Sequence, residues 1–222
     1  MNIEPIAHIH TNYDEKFGIP RQSGLSHGKG RIVFVPKYRD PESLRGIEGY
    51  SHLWLIFDFS ESHMEEWSPT VRPPRLGGNV RMGVFATRSP FRPNSLGLSS
   101  VRLLGLEDSD EGTVLIVEGA DLLDCTPIYD IKPYVRYSDS HEDAVSGFAD
   151  DVCGKRLDVT IDTELRDHLT DDSIKELEEC IAQDPRPGYH EDGREYTMLF
   201  SGHDITFVVN GKEARIIRIR GR

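Results

Sequence analysis

The alternation of apolar and polar positions predicts that the first 137 residues consist mainly of β-strands. In residues 51–59, Leu53, Leu55, Phe57 and Phe59 fall on one face of a strand and His52, Trp54, Ile56 and Asp58 on the other. Such a period of two is typical of a strand with one face in a core. We interpret His52 and Asp58 as polar groups of a barrel wall. Further strands are predicted over residues 3–9, 30–36, 96–106 and 112–118.

The pattern changes after residue 137. Residues 138–151 are acidic and poor in large apolar groups, which predicts a linker. Ile174, Leu177 and Ile181 have the spacing of one helix face, so a helix is expected over residues 171–182. A shorter helix is expected over 163–169, and strands over 156–161, 196–200, 204–209 and 213–219. We therefore predict a mainly β protein, with a β-barrel domain over residues 1–137 and a small α+β domain over residues 138–222.

The composition limits the class of protein. The chain has 222 residues, 37% of them hydrophobic, and a formal net charge of -12. That charge argues against coating by nucleic acid and favours a local basic patch in an acidic surface. No apolar run is long enough to span a membrane and no signal pattern begins the chain, so a cytoplasmic protein is expected. The three cysteines lack metal-ligand spacing, which predicts neither zinc nor disulfides.

Residues 67–106 are the chemically distinctive segment. They contain six arginines but no Asp, Glu or Lys, in a chain that is otherwise acidic. A guanidinium group presents a planar set of donors that suits carboxylates and phosphates. Pro90 and Pro93 restrict the backbone around Arg88 and Arg92. The segment therefore predicts an anion-binding site. The alternative, a loop whose charge is neutralised by acidic neighbours, stays open.

Three stretches resemble the signatures of the TrmO (TsaA-like) family of S-adenosylmethionine-dependent tRNA methyltransferases. They are residues 83–97 (GVFATRSPFRPNSLG), residues 72–79 (RPPRLGGN) and residues 119–134 (GADLLDCTPIYDIKPY), in which Cys125 replaces the usual Gly. Residues 184–189 (DPRPGY) resemble a fourth family motif. The resemblance implies a barrel without a Rossmann fold, a homodimer, and an acceptor at N6 of threonylcarbamoyladenosine beside the tRNA anticodon.

The same resemblance implies the site residues. Arg88 is expected to bind the carboxylate of S-adenosylmethionine, and Asp121 its ammonium group or a ribose hydroxyl. Asp124 is the candidate general base, although either Asp is equally suited to holding a turn. No metal ion is expected to be needed. The implied cofactor-binding residues are Gln22, Ser23, Gly24, Ser60, Glu61, Arg88, Leu98, Gly119, Ala120 and Asp121, and the implied substrate-binding residues are Arg92, Lys132, Tyr134 and Arg186.

Two other functions remain compatible with the residues. The arginine segment would also serve a barrel that binds RNA or a nucleotide without catalysis. A hydrolase that uses Asp124 with His52 or His63 ranks lowest, because nothing positions a nucleophile. Binding of S-adenosylmethionine distinguishes a methyltransferase from both alternatives. A second RNA surface is predicted in the C-terminal part, formed by Arg186, Tyr189 and the arginines at 215, 218, 220 and 222.

Overall fold

The computed structural model describes residues 2–76, 79–152, 154, 156–187 and 190–222. The strands are β1 (Ala7–His10), β2 (Lys29–Phe34), β3 (His52–Asp58), β4 (Thr70–Val71), β5 (Met82–Gly83), β6 (Leu96–Ser109), β7 (Gly112–Glu118), β8 (Thr126–Pro133), β9 (Asp158–Ile161), β10 (Glu195–Phe200), β11 (His203–Asn210) and β12 (Glu213–Gly221). The α-helices are α1 (Arg136–Asp139), α2 (Phe148–Val152), α3 (Thr163–Arg166) and α4 (Asp171–Ala182). Short 3-10 helices cover Pro36–Tyr38, Pro41–Leu44, Ile47–Gly49, Ser60–Ser62, Pro74–Leu76 and Val84–Ala86.

Six antiparallel strands form a closed barrel in the order β1-β2-β7-β6-β3-β8. Strand β8 pairs with β1, with Ala7 opposite Ile128, and this pairing closes the barrel. Closure removes the free strand edges at which other chains could pair. The predicted alternation in β3 is confirmed for Leu53, Leu55 and Phe57, which are buried in the barrel core.

Some strand ends differ from the prediction. The first strand begins at Ala7 rather than Ile3, and Ile3 is 51% exposed, whereas Ala7 and Ile9 are fully buried in the barrel core. Strand β6 extends to Ser109, since its pairing with β7 continues to the pair of Ser109 and Gly112. The acidic turn is therefore shorter than the sequence predicted.

A second sheet, in the order β10-β11-β12-β9, forms the C-terminal part. Helix α4 has the predicted bounds, and its apolar residues Ile174, Leu177 and Ile181 are buried. The helix predicted over 163–169 is only the four residues of α3. Residues 138–151, predicted as a linker, are partly helical. They include the last two residues of α1 and all of α2 except its final residue.

Residues near the N-terminus connect the two parts. Tyr13 is 2% exposed and belongs to the apolar core of the second sheet, where its ring lies 6.1 Å from that of Phe200. The Tyr13 carbonyl accepts a hydrogen bond of 2.8 Å from the Asp124 amide at the barrel. A domain boundary at residue 137 stays a prediction, and the segment around Tyr13 packs with residues from both sides of it.

The predicted fold class is confirmed: the protein is mainly β, with a barrel that differs from a Rossmann fold and a small α+β part. Among the described residues, no helix has both the length and the apolar character that a membrane span requires.

Candidate functional site

A cavity of about 470 Å³ lies where the end of β3, the start of β6 and three loops meet. This volume is in the range of small-molecule sites. Its apolar wall includes Phe57, Phe59, Leu98 and Leu122, and Leu98 is 56% exposed at its edge. Seven of the residues implied by the family resemblance lie in the cavity wall: Gln22, Ser60, Glu61, Arg88, Arg92, Leu98 and Asp121.

Asp121 is the most constrained carboxylate in this wall. The Ser99 hydroxyl donates a hydrogen bond of 2.6 Å to Asp121 Oδ1, and the Ser23 amide donates another to the carboxylate. Burial raises the pKa of Asp121 above its ordinary value, and these hydrogen bonds together with the nearby charge of Arg88 oppose that shift in part. The site thus places a desolvated carboxylate beside a guanidinium group.

Two glycines connect the loops that carry Gln22 and Asp121. The Gly24 amide donates to the Gly119 carbonyl at 2.8 Å, and the Gly119 amide donates to the Gly28 carbonyl at 2.9 Å. Gly119 has φ of 81°, and an added Cβ would lie 3.1 Å from Gly24 Cα. Only glycine fits such a position without strain. The implied residues Ser23, Gly24, Gly119 and Ala120 do not line the cavity themselves.

The two central arginines are held by hydrogen bonds. Arg88 donates to the side-chain oxygen of Gln22. Arg92 Nη1 donates to the carbonyl groups of Thr87 at 3.0 Å and Ser89 at 3.2 Å, which ties the guanidinium to its own loop. Both side chains line the cavity. The proline-containing loop therefore presents two arginines from one side.

Asp58, His63 and Tyr129 form a polar cluster at the cavity that the sequence analysis did not identify. His63 Nε2 lies 2.7 Å from Asp58 Oδ1, and the Asp58 side chain is only 11% exposed. Burial and the nearby carboxylate of Asp58 raise the pKa of the Tyr129 hydroxyl. Asp58 lines the cavity. Asp58 is the last residue of β3 and so belongs to the barrel wall, as the alternation predicts. Alternation alone does not show that this position also faces a cavity.

Three further implied residues, Asp124, Lys132 and Tyr134, also lie outside the cavity wall. Asp124 bonds to the Thr11 amide at 3.0 Å and lies 3.2 Å from His10 Nδ1. Lys132 pairs with Asp130 at 2.7 Å. Tyr134 lies 5.5 Å from the ring of Trp54, a cavity residue, and packs behind it. The structure does not bring these side chains together with Arg88 and Asp121.

A larger cleft of about 1260 Å³ adjoins the cavity and shares Lys16, Gln22 and Arg88 with it. It lies between the arginine segment and the C-terminal sheet. Among the described residues of its wall, Glu195 is the one carboxylate. Its basic residues are Lys16, Arg21, Arg72, Arg81, Arg88, Arg186 and Arg194, and its aromatic residues are Phe17, Phe91, Phe148 and Tyr196. Basic and aromatic groups together are typical of surfaces that bind single-stranded nucleic acid.

Of the described residues of the predicted second RNA surface, only Arg186 lies in the cleft wall. Arg186 lines the cleft, and its guanidinium pairs with Asp184 at 2.8 Å and Asp192 at 3.2 Å. These partners raise the pKa of Arg186. Tyr189 lies outside the described residues. The four C-terminal arginines are not in the cleft wall, and Arg215 and Arg222 pair with Asp162 and Asp204.

The family model described as tRNA-methyltransferase O N-terminal domain matches residues 8–140, and the TrmO C-terminal domain model matches residues 154–222. The chain is 36% identical over 232 residues to a tRNA (adenine(37)-N6)-methyltransferase of Escherichia coli, covering 100% of this chain and 99% of that one. It is 41% identical over 213 residues to a putative S-adenosylmethionine-dependent methyltransferase, RcsF, of Pseudomonas aeruginosa, covering 92% and 90%. A crystal structure of TrmO from P. aeruginosa superposes with a TM-score of 0.81 at 34% identity, over 100% of this chain and 97% of that one.

Proposed function

The chain belongs to the tRNA-methyltransferase O family, as its motifs predicted, and on this premise we propose that it methylates N6 of an adenosine beside the tRNA anticodon. We further propose that threonylcarbamoyladenosine is the acceptor. The single observation that carries the proposal is the cavity in which Arg88 and the partly buried Asp121 lie together. That pair matches a small molecule with a charge of each sign.

The cavity residues fit S-adenosylmethionine, the cofactor of the family. The cofactor's amino-acid end carries a carboxylate and an ammonium group, for which the cavity offers Arg88 and Asp121. Its adenine is planar and apolar on both faces, and Phe57, Phe59 and Leu98 provide apolar walls. Gln22 holds the Arg88 side chain, which reduces the rotamer freedom that binding must remove.

When bound, S-adenosylmethionine supplies an electrophilic methyl group on a sulfonium sulfur. The acceptor nitrogen loses a proton on methylation, and we propose Asp58 as the group that receives it. Asp58 lies in the cavity wall, whereas Asp124 does not. His63, 2.7 Å away, fixes the orientation of the carboxylate. Positioning and proton transfer are thus supplied by this chain's own groups.

The adjoining cleft suits the anticodon loop of the tRNA. Its basic residues complement phosphates, while Phe91, which is 44% exposed in the cleft wall, is available for a base to stack on. Because the cleft and the cavity share Arg88, RNA held in the cleft places an adenosine near the cofactor residues. Arg92 stands in the cavity wall as the partner for the additional carboxylate of threonylcarbamoyladenosine.

We also propose a homodimer, as the family resemblance implies. Three large apolar side chains near the cavity are exposed: Phe85 at 75%, Leu98 at 56% and Trp67 at 52%. Exposed apolar groups in one region are typical of protein interfaces. Multi-angle light scattering of the purified chain measures the oligomeric state. A cytoplasmic location, where tRNA is modified, belongs to the same proposal.

The test uses purified protein, methyl-labelled S-adenosylmethionine and tRNA prepared with and without the threonylcarbamoyl group. Mass spectrometry of the digested nucleosides should find the label in threonylcarbamoyladenosine and not in unmodified adenosine. Label in both nucleosides would refute the proposed acceptor but keep the methyltransferase. Binding of cofactor and tRNA without any methylated nucleoside would favour the binding module instead.

A further inference from the structure

Three residues with metal-binding side chains meet outside the cofactor cavity. His10 is the last residue of β1, and Asp124 and Cys125 lie in the loop between β7 and β8. His10 Nδ1 is 3.2 Å from Asp124 Oδ1 and 3.8 Å from Cys125 Sγ, and that sulfur is 3.1 Å from Asp124 Oδ2. The three ligand atoms all lie within 4.8 Å of one another.

We propose that His10, Asp124 and Cys125 bind a divalent transition-metal ion of the zinc class. Zinc bonds to sulfur at about 2.3 Å and to nitrogen or oxygen at about 2.0–2.2 Å, so tetrahedral ligands lie roughly 3.3–3.6 Å apart. His10 Nδ1 and Cys125 Sγ lie 3.8 Å apart, slightly more than that range. They approach different oxygens of Asp124, at 3.2 Å to Oδ1 and 3.1 Å to Oδ2, so small side-chain rotations would bring one ligand atom from each residue to an ion. A thiolate, an imidazole and a carboxylate select zinc, cobalt and related ions over magnesium or calcium.

The carboxylate is oriented by the backbone without any ion. The Thr11 amide donates to Asp124 Oδ1 at 3.0 Å, and the Asp124 amide donates to the Tyr13 carbonyl at 2.8 Å. The Thr11 hydroxyl donates to the Leu122 carbonyl at 3.0 Å, which fixes the loop against the strand end. Outer-shell hydrogen bonds of this kind orient metal ligands and strengthen binding.

The sulfur ligand distinguishes this chain from the motif it resembles. Cys125 has φ of 61°, the left-handed conformation that favours the glycine of the family motif. A glycine at this position would leave His10 and Asp124 with no third ligand. The cysteine side chain is exposed, and the His10 side chain is 44% exposed, so an ion and a coordinated water have access. The proposed site is therefore separate from methyl transfer and does not depend on the proposed function.

No zinc site was expected, because the three cysteines lack metal-ligand spacing. His10 and Asp124 are 114 residues apart in the chain, and the closure of the barrel by β1 and β8 brings them together. The cluster lies outside the cavity wall. A metal ion bound there is therefore compatible with the prediction that cofactor binding needs no metal.

The experiment titrates Co²⁺ into the chelator-treated protein and records the absorption of the cobalt–thiolate bond. We expect one equivalent to bind and Zn²⁺ to displace it. Cys125→Gly should abolish the thiolate band, and its backbone suits the left-handed conformation, so the variant should fold. His10→Asn should weaken Co²⁺ binding by about 10- to 100-fold or more, since even outer-shell partners are worth that much.

The control is His141→Asn, an exposed histidine in the segment after the barrel, which should bind Co²⁺ as the wild type does. A wild-type protein that gives no thiolate band with Co²⁺ overturns the proposal. So does a band that survives in Cys125→Gly, because the sulfur then comes from another cysteine. Circular dichroism of each apo variant verifies that its fold is intact.

Discussion

The Ser99 hydroxyl donates a hydrogen bond of 2.6 Å to Asp121 Oδ1 across the wall of the cofactor cavity. The bond joins the beginning of β6 to the loop that follows β7, and it favours the ionised carboxylate. Burial has the opposite effect and is the larger one, so the pKa of Asp121 is raised above 3.8. The charge of the cavity is therefore set by a balance that solution pH can change.

Cofactor affinity should depend on pH through Asp121. The carboxylate attracts the ammonium group or accepts from a hydroxyl, and it loses this ability when it takes up a proton. Affinity should therefore rise as pH increases through the raised pKa of Asp121. Asp121→Asn should remove that dependence and weaken binding by roughly 10- to 150-fold, the value of a charge-assisted hydrogen bond. Calorimetry at several pH values measures the cofactor affinity and its pH dependence. Asp108→Asn, at the exposed end of β6, is the control. An unchanged profile in Asp121→Asn would assign the carboxylate a structural role.

Arg88 and Arg92 should have separable effects. Arg88→Ala should weaken cofactor binding by about 10- to 150-fold, on the same estimate. Arg92→Ala should leave cofactor affinity near that of the wild type and lower the rate of methyl transfer, because its expected partner is the acceptor. The measurements are cofactor calorimetry and single-turnover methylation. Arg45→Ala, an exposed arginine paired with Glu42, is the matched control. Wild-type behaviour of both cavity variants would mean that these arginines only hold their loop.

Asp58 should matter more than Asp124 for the methylation rate. A general base contributes about 10²–10⁴-fold to a rate, so Asp58→Asn should lower kcat by that order with little change in cofactor affinity. His63→Gln should have a smaller effect and should change the pH profile of kcat, because His63 orients the carboxylate. Asp124→Asn is the comparison, and its kcat should stay near that of the wild type. The opposite ranking of Asp58 and Asp124 would contradict the placement of the base in the cavity wall.

The cleft should bind tRNA through its phosphates. Contacts to single-stranded phosphates make log affinity fall with log salt by about 0.7 per contact. Replacing Arg72 and Arg194 by Ala should weaken tRNA binding and reduce that slope by about 1.4, without affecting cofactor affinity. Replacing Arg215 and Arg222 is the control, because both are paired on the C-terminal sheet. If the salt dependence of tRNA affinity changed only in the control variant, the RNA surface would lie on the C-terminal sheet and not in the cleft.

The sequence predicted those elements whose pattern is local. The apolar stripe of α4 and the alternation in β3 lie within single segments, so periodicity was enough to place them. The prediction failed where an element is short, as in α3, because four residues show no period. The pairing of β8 with β1 could not be predicted either, since the residue pattern of a strand does not identify the strand with which it pairs.

The candidate site was predictable as far as its motifs extend. Motif residues such as Arg88 and Asp121 lie in the cavity because the loops that carry them meet there. The proximity of Asp58 to the cavity could not be predicted, because a polar residue on a strand gives no signal of its distance from a cavity. Lys132 and Tyr134 lie on or just after β8, and their position in a motif did not determine the direction of their side chains.

The placement of Tyr13 has a consequence for the order in which the newly made chain folds. Domains generally fold from the N-terminus during synthesis. Here, however, Tyr13 completes its packing only when Phe200 has left the ribosome, because the two belong to one apolar core. The Asp124 amide bonds to the Tyr13 carbonyl, so Tyr13 connects the loop that carries Asp121 to this late-forming core. A nascent chain that carries every strand of the barrel would therefore still lack the core against which Tyr13 packs.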